Sequence, residues 1–158
     1  MKGRSEMPDK PNILFINTDQ LRADFMGCYG FPLPTTPNID RLAAEGMIMK
    51  ETHCQSPVCV PSRYSLLSGL YPRNHGVRNN VDTPVRGTTS LVEQFNRNGY
   101  HSVAIGKLHH NPPDDPFGFR EVQLHDGGLP GRYDLSVYVS WLRENGLDEG
   151  ELAYPPDI

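Results

Sequence analysis

Apolar and polar positions fall into two rhythms along this chain. Residues 12–18, Asn-Ile-Leu-Phe-Ile-Asn-Thr, form a continuous apolar run after Pro11. Such a run predicts a strand buried on both faces, the pattern of a parallel sheet. Residues 47–53 predict a second strand and residues 100–105 a third. Between them the period changes to helical. Residues 36–46 predict a helix with Thr36 as its cap, Pro37 in its first turn and Gly46 at its end. Ile39, Leu42 and Ala43 would form its buried stripe. A second helix begins near Cys59, with Pro61 in the first turn. Leu66, Leu67 and Leu70 fall at helical spacing there, and Gly69 lies near the stop. Ser90 and Glu93 make a capping box for a third helix, which Asn98-Gly99 ends. Residues 134–146 predict a fourth, with Leu135, Tyr138, Val139 and Leu142 as its stripe and Trp141 at the edge. The stretches 27–34, 71–80 and 111–116 read as loops, and 126–131 as turns. Strands alternating with helices predict an α/β fold, a mostly parallel sheet flanked by helices.

Composition narrows the picture. The 158 residues suggest one domain, with residues 1–10 as a polar tail. A net charge of −4, with acidic and basic residues interspersed, gives no support for nucleic-acid binding. Fifteen Pro and fifteen Gly indicate many loops, but recurring aliphatic runs set the chain apart from a disordered one. Three cysteines, Cys28, Cys54 and Cys59, make no disulfide framework. His53, Cys54 and Cys59 fit no common zinc spacing. The first ten residues lack an apolar core for a secretory signal, and no run is long enough to span a membrane. The expectation from these features is a cytoplasmic chain.

Three places carry chemistry. Asp19-Gln20 ends the first predicted strand, where ligands gather in open α/β sheets. A carboxylate and an amide oxygen suit calcium or magnesium, although a capping turn is the plainer reading. Cys59 lies at a helix N-terminus, whose free N–H groups and positive dipole end favour anions and thiolates. Arg63 follows one turn later and can point back toward it. The plainer reading is a buried structural cysteine. Gly106-Lys107-Leu108-His109 ends the third predicted strand, so Lys107 and His109 can face one cleft if the chain stays extended. A solvated basic turn is the alternative. His75, a lone loop histidine, reads as structural ahead of any site role, and His110 is assigned no chemistry.

Cys59-Val60-Pro61-Ser62-Arg63, extended by Ser65-Leu-Leu-Ser-Gly69, resembles the signature of the formylglycine-dependent sulfatases of the alkaline-phosphatase-like superfamily. Residues 11–20, the Thr36-Pro-Asn-Ile-Asp-Arg-Leu42 helix, Gly106-Lys-x-His109 and the later Gly118-Phe119 step are similar to the same family. The resemblance implies that Cys59 is oxidised to formylglycine, a metal-contacting nucleophile in its hydrated form. One hydroxyl attacks sulfur and the ester alcohol leaves; the second then loses its proton and sulfate is expelled. It implies a divalent cation, calcium, on Asp19 and Gln20. It assigns fixed positive charge to Arg63 and Lys107, and sulfate binding to Lys107 and His109. The expected substrate is a small-molecule or saccharide sulfate ester.

Many sulfatases have Asp-Asp where this chain has Asp19-Gln20. Asp-Gln resembles the choline-sulfatase and phosphonate-monoester-hydrolase branches, so a phosphonate or phosphodiester hydrolase is the rival activity. The family's second metal-ligand pair, Asp followed by Asn or His, has no counterpart in a plausible place, since Asp126 precedes Gly127. Residues 11–158 are therefore expected to be a truncated N-terminal portion of a catalytic domain. A missing C-terminal portion or a completing chain would be its partner. A non-catalytic fragment or subunit is the third reading.

Overall fold

A computed structural model describes residues 10–112, 115–124, 141 and 144–146. The chain divides into two compact units, Met1–Thr52 and His53–Ile158. No helix among the described residues is long and apolar enough to cross a membrane.

The first unit is built around one buried-side carboxylate. Two short 3-10 turns, Ala23–Phe25 and Gly27–Tyr29, precede helix α1, Pro37–Glu45. Asp40 of α1 accepts the Cys28 N–H at 2.7 Å and the Thr36 hydroxyl at 3.1 Å. Thr36 in turn accepts the Gly27 N–H at 3.1 Å. Glycine is needed at position 27, because a Cβ there would lie 2.3 Å from Asp40 Oδ2. Thr36 stands at the N-cap as expected, but its side chain makes no capping bond to the helix backbone. Its hydroxyl serves the 3-10 turn instead.

Three expectations for this unit need correction. Residues 12–18 enter no strand. A parallel strand exists only through its ladder, and the described residues contain a single ladder, elsewhere. Leu14 and Ile16 accordingly remain 85% and 71% exposed. Residues 47–53 form a turn at Lys50–Glu51 in place of a strand. The α1 stripe is not buried: Leu42 and Ile39 are exposed and Ala43 is half-buried.

The second unit holds the core. Helix α2, Cys59–Ser68, starts at the expected place and is closed by Gly69 in the left-handed conformation, φ 70°. Its buried face is Val60, Pro61, Tyr64 and Ser65, while Leu66 and Leu70 point outward. Of the three leucines at helical spacing, Leu67 is the one packed against the core cluster. Tyr64, the bulkiest apolar side chain on the helix, takes the inward position. A one-turn helix α3, Pro72–His75, occupies the expected loop and is stopped by Gly76. Helix α4, Leu91–Arg97, is capped as expected: Ser90 Oγ accepts the Glu93 N–H at 3.2 Å. The Glu93 carboxylate engages Arg97, so only half of the capping box forms.

Strand β1, Val103–Gly106, pairs in parallel with β2, Glu121–Leu124, in the register Val103↔Glu121 to Gly106↔Leu124. The first matches the third predicted strand, shortened at its start. The second is too short to have been predicted. Val60, Tyr64, Val77 and Phe117 form the hydrophobic cluster, with Cys59 and Leu67 packed against it. The predicted 134–146 helix and the 126–131 turns lie outside the described residues, apart from Trp141 and the turn that brings the Asn145 N–H onto its carbonyl at 3.1 Å.

Gly118 joins α4 to this core. Its φ is +94°, and a Cβ would lie 2.6 Å from Ser90 Oγ and 2.8 Å from Glu93 Cγ. Gly118→Ala is therefore expected to destabilise the chain by more than the roughly 1 kcal/mol that the backbone conformation alone costs. Ser90→Ala is expected to cost about 1 kcal/mol through the lost cap. Urea denaturation of the two variants checks both the values and their order.

Candidate active site

The residues singled out by sequence divide between the units. Asp19 and Gln20 belong to the first; Cys59, Arg63, Lys107 and His109 belong to the second.

Cys59 is the first residue of α2 and is half-buried. Its Sγ–H donates to Asn80 Oδ1 at 3.3 Å, and the same oxygen accepts the Val60 N–H at 3.2 Å. Asn80 thus satisfies one of the free N–H groups of the helix start. Arg63, expected to reach back toward Cys59, has its Nη1 on the Lys107 carbonyl at 2.6 Å. That charge-assisted bond fastens the signature helix to the stretch following β1.

The next residues continue the contact. The His110 ring stacks on Tyr64, with centroids 4.5 Å apart. The Tyr64 hydroxyl donates to the Asn111 carbonyl at 3.0 Å and accepts the Asn111 N–H at 3.2 Å. Burial pushes the Tyr64 phenol above its ordinary range, so it stays neutral and keeps its proton to donate. Phe117 meets both Tyr64 and His110 edge-on. His110 is 1% exposed and belongs to this aromatic core.

His109 is buried and has φ 53°, and Gln20 has φ 54°. Left-handed backbone costs a residue with a Cβ about 1–2 kcal/mol. Among non-glycine residues it marks positions held by their surroundings, often at functional sites. Two of the three such residues described are candidates chosen from sequence; the third is Phe117.

His75 is fully buried. Its Nδ1 accepts the Val77 N–H at 3.2 Å, so the neutral ring carries its proton on Nε2 and donates to Ser65 Oγ at 2.9 Å. Both ring nitrogens are used inside the fold, and the residue pins α3 to α2. This agrees with the structural reading of His75.

Asp19 and Gln20 offer hard oxygen donors, the chemistry calcium prefers. Two donors fall short of the roughly six to eight that calcium takes. Among the described residues, no group of three or more His, Cys, Asp or Glu is placed to hold a metal ion. The described residues do not complete a divalent-cation site.

The sulfatase family profile matches residues 11–124. The chain belongs to the sulfatase family. It is 34% identical over 149 residues to an arylsulfatase of Clostridium perfringens, covering 85% of this chain and 31% of that protein. It is 37% identical over 162 residues to human N-acetylgalactosamine-6-sulfatase, covering 88% and 31%. Among solved structures, phosphonate monoester hydrolase of Agrobacterium radiobacter superposes with a TM-score of 0.70 at 30% identity, covering 87% of this chain and 29% of that one. A protein solved in complex with its substrate D-glucosamine-2-N,6-O-disulfate superposes with a TM-score of 0.69 at 31% identity, covering 75% and 24%. These likenesses give this sulfatase chain an alkaline-phosphatase-like α/β fold. It spans about 31% of the length of the curated relatives named. The family as a whole points to a metal and a formylglycine in general terms.

The contacts of Asn80, Asn111, Ser65 and His110 were not legible in the sequence. Asn79-Asn80 was legible as part of a loop, but nothing local marks an asparagine as the partner of a residue 21 positions earlier.

The buried His75 yields a pH prediction. Burial lowers its pKa below the ordinary value of 6.5. Between the folded and unfolded pKa values the unfolded chain binds more protons, so stability rises with pH there. The contribution is fully present above about pH 6.5 and is lost as pH falls through the folded pKa. Urea denaturation from pH 7.5 down to 5 is expected to show this loss, and His75→Gln to flatten it.

Proposed function

We propose that residues 11–158 are the N-terminal portion of a sulfatase catalytic domain that hydrolyses sulfate esters with a nucleophile made from Cys59. The observation that carries this is the junction of Cys59-x-Pro-Ser-Arg63 with Gly106-Lys-x-His109 through the 2.6 Å bond from Arg63 to the Lys107 carbonyl. Two stretches that resemble sulfatase motifs, far apart in sequence, meet in one place.

In this reading the chain's own residues bind and orient. The α2 N-terminus directs its dipole toward the side chain of residue 59, where negative charge develops. Arg63 fixes the Lys107 backbone and adds positive charge nearby. Lys107 and His109 bind the sulfate group and stabilise the departing oxygen. Formylglycine made from Cys59 would supply, as its hydrate, an attacking hydroxyl and a second ionisable hydroxyl. Asp19 and Gln20 would contribute two oxygen ligands to calcium, the others coming from beyond the described residues. A sulfated saccharide is the substrate class supported by the hexosamine-sulfatase relatives and the glucosamine disulfate complex.

A second reading has its own support. Asp19-Gln20 and the likeness to a phosphonate monoester hydrolase favour an aryl phosphonate or phosphodiester substrate on the same framework. Paired assays with 4-nitrophenyl sulfate and a 4-nitrophenyl phosphonate ester rank the two.

Tryptic residues 51–63 hold Cys59. Expressed in a host that makes formylglycine, this peptide is expected to carry the aldehyde at residue 59. In a completed catalytic domain, Cys59→Ala is expected to lower turnover by a factor on the order of a thousand or more. Unmodified Cys59 alongside undiminished turnover would remove the nucleophile assignment.

A further inference from the structure

Asn80 presents one atom to two donors. The Val60 N–H can only donate, so the atom facing it is the amide oxygen, and the Cys59 thiol donates to that same oxygen. This places an acceptor directly on the side chain that carries the proposed chemistry.

Asn80 is itself held. Asn79 Oδ1 accepts the N–H groups of Val81 at 2.9 Å and Asp82 at 3.0 Å. Asp82 Oδ2 accepts those of Arg78 at 2.9 Å and Asn79 at 3.2 Å. The two side chains close the 78–82 loop on itself, with residue 80 between them. Asn111 clamps the loop from outside: its Nδ2 donates to the Val81 carbonyl at 2.5 Å and the Asp82 carbonyl at 3.3 Å. The backbone of Asn111 is gripped in turn by the Tyr64 hydroxyl. Tyr64 stands on the same helix as Cys59, so the path runs from α2 through Asn111 and the loop back to the start of α2.

We propose that Asn80 is the positioning residue for the side chain at position 59, and that Asp82 and Asn111 act through it. Its catalytic consequence rests on the sulfatase reading; the effect on the thiol does not. An acceptor at the sulfur holds the thiol proton and fixes the orientation of the side chain. A hydroxyl-bearing side chain at position 59 would donate to the same oxygen, which fixes one hydroxyl and leaves the other free for substrate. A mere helix cap would need only the Val60 bond.

The test begins with the full chain bearing unmodified Cys59. Its alkylation by iodoacetamide is followed by fragment mass spectrometry, with exposed Cys54 on the same tryptic peptide as internal reference. Asn80→Ala is expected to speed Cys59 alkylation about threefold to tenfold, because the bond that holds the thiol is gone. Asn80→Asp is expected to slow it, because a carboxylate accepts the thiol's hydrogen bond more strongly than an amide does. Loosening of the helix would speed both variants, so the opposite signs are diagnostic. Asp82→Ala is expected to match Asn80→Ala, with no further gain in the double variant. The same direction in both Asn80 variants, or no change relative to Cys54, overturns the proposal. With residue 59 oxidised, Asn80→Ala is expected to lower kcat for 4-nitrophenyl sulfate and leave KM within about twofold; a raised KM at unchanged kcat overturns it. Absence of turnover when the chain is joined to the rest of a catalytic domain counts against the sulfatase reading, while the alkylation result still decides the role of Asn80.

Discussion

The contact between α2 and residues 107–111 is the constraint on which the second unit depends. Arg63 and Tyr64, adjacent on one helix, take hold of Lys107, His110 and Asn111 by a charge-assisted bond, a ring stack and a two-way hydroxyl bond. A helix of this length is marginal on its own in water. Its stability comes from burying Val60, Pro61 and Tyr64 against Val77 and Phe117. The chain leaving β1 is therefore part of the helix's own packing, and the two candidate motifs cannot be placed independently of each other.

Much of that packing is polar, and burial makes each polar partner necessary. His75 contributes no apolar surface that an aliphatic residue could not replace. Burial favours its neutral form, and its ring nitrogens are occupied, one by the Val77 N–H and the other by Ser65. An unpartnered buried donor or acceptor costs about 1–3 kcal/mol. The Ser65–His75 bond thus holds α3 in place while the apolar cluster supplies the burial. The 78–82 loop follows the same logic near the surface, where Asn79 and Asp82 satisfy the backbone that a helix or ladder would otherwise satisfy.

The first unit is organised differently. One carboxylate, Asp40, gathers the Cys28 backbone and the Thr36 hydroxyl, and Gly27 permits the approach. No buried apolar cluster accompanies it among the described residues. Residues 13–16 show the consequence of apolar character without a ladder: the pattern of a doubly buried strand is present, but the residues stand exposed.

The sequence by itself determined what neighbours within a few positions decide. Cys59 opens a helix with Pro61 in its first turn, Gly69 closes it with positive φ, and Ser90 caps α4. The family signature was equally legible, since it is a contiguous string. Tertiary structure decided the rest. The inward turn of Tyr64 in place of Leu66, the absorption of His110 into the core, and the meeting of Asn80 with Cys59 depend on partners 21 to 47 residues away. The short ladder of β2 depends likewise on β1. Periodicity reports which face of an element is apolar. It cannot report which distant side chain will complete a hydrogen bond, because that is settled only when the chain folds and the groups lose water together.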